Sequence, residues 1–229
     1  MPGPGIAVLG ATGGCGTTTM TAALAAWGGM GARRVLSLDG LGGGPHVLWG
    51  VQVERAIDHL DAVRAEVAPR HVQQIAHQGM GEWDIVAGPD AAAGYRPWAD
   101  DHASRLADAL AEVTPWVADL GRGQHDIGQQ VLTRATGVII MVPRSLEGAD
   151  ACQRLLPHLP AVPVVVGAVA RPGEDAVSAR SMRRLVRGPD IVEVPWDRRA
   201  VRALATVAPG RRGLAASVAH IGEALVRGG

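Results

Sequence analysis

The chain has 229 residues, 47% of them hydrophobic, enough to bury one large core, so a single domain over 1–229 is expected. Its 22 basic residues are all arginine, because the sequence contains no lysine. They balance 22 acidic residues, and the zero net charge excludes a global field that would draw the chain to nucleic acid or anionic lipid.

In chain order the pattern predicts strand 5–10, helix 17–28, strand 33–39, a helix near 51–67, strand 83–88, helix 100–112, strand 115–120 and helix 124–134. It continues with strand 137–143, helix 147–156, strand 162–169, helix 175–186, strand 190–195, helix 198–206 and helix 213–226. Runs such as "GVIIMV" and "VPVVVGAV" are apolar throughout, as strands covered on both faces must be. The expected fold is therefore α/β, a doubly wound, mostly parallel sheet flanked by helices. These apolar runs are too short to cross a bilayer, and no direct membrane helix is expected.

The segment from Gly88 to Pro97 reads as a surface loop, which makes Trp98 the tryptophan expected to be exposed and to mark a partner surface. The last helix puts Leu214, Val218, Ile221 and Leu225 on one stripe. With few flanking arginines, that stripe is expected to pack on the sheet rather than on lipid.

Cys15 and Cys152 lie far apart in sequence, which argues for a reducing compartment and a cytoplasmic protein. Cys15 also sits beside a helix start, where the dipole favours thiolate, although a small loop filler is the expected role. Scattered histidines suggest no zinc site.

The chemistry is concentrated in "GIAVLGATGGCGTTTMTAALA", residues 5–25, a strand, a glycine-rich turn and a helix start. Two readings fit the turn. Gly10, Gly13 and Gly16 follow the spacing of nicotinamide-binding reductases, and Asp39 could then face a ribose. Such enzymes add a Tyr-x-x-x-Lys pair, whereas this chain has only Tyr95 and no lysine. In the other reading "ATGGCGTT" is a triphosphate P-loop, with Ala11 at its first glycine and Thr17 at its lysine. Both use glycines to turn backbone amides inward toward an anion at a helix N-terminus.

The surroundings favour the P-loop. Asp39 leads into "GLGGG", and Asp119 ends "PWVADL", each where a strand meets the ligand-binding edge of an open α/β sheet. The expected nucleotide-binding set is Gly13, Gly14, Cys15, Gly16, Thr17, Thr18 and Thr19, with Thr18 and Asp119 holding Mg2+ and Asp39 as the catalytic residue if any catalysis survives.

At this level the chain resembles the MinD/ParA family of P-loop ATPases, in particular its CpaE/TadZ-like, septum-site-determining branch. The resemblance rests on "VLGATGGCGTTTMTAALA", "LSLDGLGGGPHVLWG", "WVADLGRG", "TGVIIMVPRSLEGADACQRL" and "VPWDRRAVRALATVAPG", in that order. It implies a MinD/ParA-like P-loop fold and a positioning or assembly factor for a pilus, secretion or cell-division apparatus. Protein components of that apparatus are the implied partners, together with a homodimer and peripheral membrane location through a partner.

The family carries two loop lysines, and Thr12 and Thr17 stand in their places here. A charge-assisted contact contributes about 1.5–3 kcal/mol against about 1 for a neutral one. The expected site is therefore degenerate, a pseudo-ATPase or at most a weak ATPase that binds ATP and Mg2+ weakly or not at all. The alternatives are an active switch using Arg122 or Arg144 as the substitute cation, and an NAD(P)-binding reductase-like protein.

Overall fold

The computed structural model describes residues 5–27, 34–37, 44–48, 50–78, 83–88, 97–113, 115–123, 126–173, 176–196 and 213–227. Its strands are β1 (Gly5–Gly10), β2 (Arg34–Ser37), β3 (His77–Gln78), β4 (Asp84–Ala87), β5 (Trp116–Asp119), β6 (Gly137–Pro143), β7 (Val164–Ala170) and β8 (Asp190–Pro195). They form one sheet in the order β3-β4-β2-β5-β1-β6-β7-β8. Every pairing is parallel except that of the two-residue β3 with β4.

The helices are α1 (Thr17–Trp27), α2 (Pro45–Leu48), α3 (Pro69–Ile75), α4 (Asp100–Glu112), α5 (Asp126–Leu132), α6 (Leu146–Leu155), α7 (Ala179–Leu185) and α8 (Leu214–Arg227). Strand alternation explains why helices cover both faces. Ala7 and Leu9 of β1 and Val138, Ile140 and Val142 of β6 join the core under α3 to α7. Their neighbours Ile6, Val8, Ile139 and Met141 join the core under α1 and α8. A strand with two apolar faces must be sandwiched, and each fully buried Leu or Ile side chain contributes about 1.5–3 kcal/mol.

The expected strands 5–10, 137–143 and 190–195 and helix 100–112 coincide with the observed elements. The expected helix 198–206 lies outside the described residues. The helix expected near 51–67 is instead a 3-10 segment at Ile57–Glu66, and α3 follows it with Pro69 at its first turn, a position where the missing proline N–H costs nothing. The final stripe packs as expected, with Leu214, Val218, Ile221 and Leu225 all buried. Among the described residues no helix is long and apolar enough to cross a membrane.

Trp98 corrects an expectation. It is 3% exposed and belongs to the core, its backbone N–H donating to the Asp126 carboxylate and the Arg64 guanidinium lying 5.0 Å from its ring centroid. The dinucleotide alternative also fails. In that fold β1 pairs with β2, whereas here β5 lies between them and β1 is flanked by β5 and β6.

Candidate functional site at the glycine turn

The turn begins where β1 ends in mid-sheet. Gly10 N–H donates to Gly121 O at 2.7 Å, and Ala11 N–H to Met141 O at 3.0 Å. The loop is thus tied at its root to the ends of both flanking strands. Gly14 and Gly16 take φ of 68° and 92°, a region that side-chain-bearing residues avoid, and Met20 N–H then closes the first turn of α1 on Gly16 O at 2.9 Å. Cys15 fills the space beneath. A Cβ added to Gly10 would lie 2.7 Å from its Sγ, so glycine and cysteine are mutually fitted.

The thiolate expectation for Cys15 is overturned. Burial pushes its pKa up, and this outweighs the backbone amides of Thr12, Cys15 and Thr17 and the charge of Arg171, which pull it down. The filler role is what its burial fits.

A cavity of about 380 Å3 opens beside the loop. Of the expected nucleotide-binding set, Gly14, Cys15, Gly16, Thr17, Thr18 and Thr19 line it, while Gly13 is exposed on the same loop. Its far wall is Val194, Pro195 and Trp196 at the end of β8, with Leu214 from the start of α8. The cavity therefore joins hydroxyls and backbone amides on one side to an apolar wall with an aromatic ring on the other, the composition of a small-ligand site.

Asp119 is fully buried as the last residue of β5, in register with Val8 of β1 and Ser37 of β2. Its Oδ1 accepts the Gly121 N–H at 3.0 Å, so the carboxylate shapes the turn that also anchors Gly10. Asp39 lies outside the described residues. His46 is part of α2, where burial and then the neighbouring His77 lower its pKa. No group of three His, Cys, Asp or Glu side chains that could hold a metal occurs among the described residues.

The expected substitute cations are placed differently from one another. Arg122 is exposed in the turn after β5. Arg144 turns away toward β8: its Nη1 donates to Glu193 Oε2 at 2.7 Å and its Nε to Val177 O at 2.9 Å. Among the described residues, Arg171, immediately after β7, is an arginine that touches the loop. Its Nη2 donates to Gly14 O, and its Cζ lies 5.5 Å from the centroid of the Trp196 ring.

No family model matches the chain. The curated ESX-1 secretion-associated protein EspI of Mycobacterium tuberculosis is 26% identical over 220 residues, covering 84% of this chain and 32% of the relative. The chain thus spans about a third of that relative's length. Among solved structures, a plasmid partition protein of Borrelia burgdorferi bound to AMPPNP superposes with a TM-score of 0.74 at 9% identity, covering 99% of each chain. A ParA family ATPase of Chlorobium tepidum gives 0.71 at 14% identity, over 99% of this chain and 95% of that one. The septum site-determining protein MinD of Pyrococcus horikoshii, complexed with Mg-ADP, gives 0.67 at 15% identity, over 95% of each.

The chain has the MinD/ParA-type P-loop ATPase fold. Within that fold the glycine turn occupies the loop after the central strand, the position the sequence pattern gave it. Arg171 was missed. It lies 157 residues from Gly14, and its one local signal was a strand end directly followed by an arginine, a signal shared by Arg144.

Proposed function

We propose that the chain is a positioning or assembly factor built on the MinD/ParA fold, serving a secretion, pilus or cell-division apparatus through protein contacts. Its phosphate loop is a lysine-free variant that holds ATP weakly and turns it over slowly or not at all. One observation carries the nucleotide reading: a loop with two left-handed glycines and three successive threonines opens onto a cavity of about 380 Å3. The secretion assignment is supported by the similarity to EspI, which is named as an ESX-1 secretion-associated protein. The CpaE/TadZ-like branch is part of the proposal, as are protein components of the apparatus and a second copy of the chain as partners.

The residues fit a magnesium nucleotide in shape. The inward amides of the loop would receive phosphate oxygens, Thr18 would offer a hydroxyl to the metal, and the buried Asp119 carboxylate lies at the end of the strand beside β1. The base would rest against Pro195 and Trp196. When bound, ATP would supply the phosphoryl chemistry. The loop's own sequence offers hydroxyls where a charge would best stabilise the phosphoryl oxygens.

Isothermal titration with ATP and Mg2+, run beside a phosphate-release assay, tests this reading. Weak binding that is lost on Asp119→Ala, without steady release, is the expected result. Sustained release in the presence of a partner, abolished by Asp119→Ala, would instead establish an active switch. Co-purification from the native cell identifies the apparatus.

A further inference from the structure

Three features of the loop meet at one point. Gly14 has a positive φ and no Cβ, and a Cβ built there would lie 3.0 Å from Arg171 Nη2. The Arg171 guanidinium donates to the Gly14 carbonyl and faces the indole of Trp196. Trp196 follows β8 and is itself part of the cavity wall. The bare backbone of Gly14 therefore lets an arginine from a strand not adjacent to β1 reach the loop. A planar guanidinium can give one edge to a carbonyl while its face meets a ring.

The consequence for the loop is geometric. The peptide joining Gly14 to Cys15 is planar and trans, so its carbonyl and its N–H point to opposite sides. Fixing the Gly14 oxygen on the Arg171 side fixes the Cys15 N–H on the other, together with the orientation of the peptide plane above the Cys15 side chain. Positive-φ glycines leave a loop free to turn, and an external hydrogen bond at this peptide removes that freedom.

We infer that Arg171 is a positioning residue, a latch from the end of β7 that holds the glycine turn in its cradle form over Cys15, with Trp196 as its backing. Its effect on ATP affinity rests on the nucleotide reading above; its effect on the loop does not. The test therefore has two arms.

In a Cys152→Ala background Cys15 is the sole thiol, and its rate of labelling by a small maleimide, without nucleotide, reports how often the turn opens. Arg171→Gln is expected to raise that rate by at least about tenfold, the scale of one lost charge-assisted hydrogen bond. Arg171→Lys, which keeps a donor but not the planar fork, is expected to remain within about threefold of the parent. Thermal melting verifies that each variant is folded. Should Arg171→Gln fail to fold, Trp196→Ala removes the backing ring alone and is expected to raise labelling by about threefold.

In the second arm, ATP affinity falls by at least about tenfold in Arg171→Gln, while adenosine affinity stays within about twofold. Labelling within twofold of the parent in the folded Arg171→Gln variant, or in folded Trp196→Ala when the former does not fold, overturns the latch. If the parent binds no ATP and Arg171→Gln still unmasks Cys15, the latch stands and the nucleotide reading falls.

Discussion

The ends of β6 and β7 make a controlled pair. The strands run side by side in parallel, with Pro143 in register with Val169, and each is followed at once by an arginine. β6 is the neighbour of β1, so by strand adjacency Arg144 is the better placed to serve the glycine turn. It is nevertheless stitched outward: its N–H donates to Val169 O at 2.8 Å, its carbonyl accepts from Val177 N–H at 2.7 Å, and its side chain goes to Val177 and Glu193. Arg171, one strand further from β1, reaches back over the loop instead. Which way an edge arginine turns is decided by the acceptors around it, and Glu193 on β8 captures the nearer one. Strand adjacency is a poor guide to side-chain reach.

The largest test breaks the β6 end. Gly148, in the first turn of α6, donates its N–H to the Ser145 hydroxyl at 3.0 Å, and a Cβ there would lie 2.3 Å from Pro143 O. Because that neighbour is backbone, Gly148→Ala is expected to cost about 2–3 kcal/mol by overpacking, read as a lower midpoint in denaturant. The second test sets the arginines against each other. Arg144→Gln should lower stability by about 1 kcal/mol or less while leaving ATP affinity within about twofold, the reverse of the pattern expected for Arg171→Gln. Equal effects on ATP from both would erase the distinction.

Each region also has its own thiol. The Cys152 thiol, in α6, is pushed up to about 11 by burial, whereas that of Cys15 is raised against the pull of three loop amides and Arg171. The stability linked to Cys152 is fully present below pH 9 and lost as pH rises toward 11, because the unfolded thiol ionises first. Cys152→Ala should flatten that alkaline decline. The smallest effect is expected from Glu193→Gln: the pair with Arg144 is half-exposed on the acid's side, so about 0.5 kcal/mol, diminishing with salt, is the scale.

Much of the fold could be read from the sequence because its signals are local and periodic. "GVIIMV" could be little other than a sandwiched strand, and α4 shows its buried positions Ala103, Leu106, Ala107 and Leu110 at helical spacing. The glycine turn was legible for the same reason, since a loop that must take positive φ has to be spelled in glycine. What escaped depends on distant partners. Trp98 sits among loop-forming residues, yet its backbone and ring are claimed by Asp126 and Arg64, 28 and 34 positions away. Arg171 looks like Arg144 until β8 supplies Glu193 to one and the residue after β8, Trp196, meets the other. The two-residue β3 is too short to carry a pattern of its own.

Helix α8 has a mechanical consequence. It begins at Leu214 in the cavity wall and runs 14 residues, a rod of about 21 Å. Leu225, near its far end, bears on Gly137 at the opposite rim of the sheet, where an added Cβ would meet it at 3.1 Å. Leu214 in the cavity wall and Leu225 where β6 begins are therefore the two ends of one stiff helix, so a ligand resting on Leu214 would bear on an element that also packs the opposite rim of the sheet.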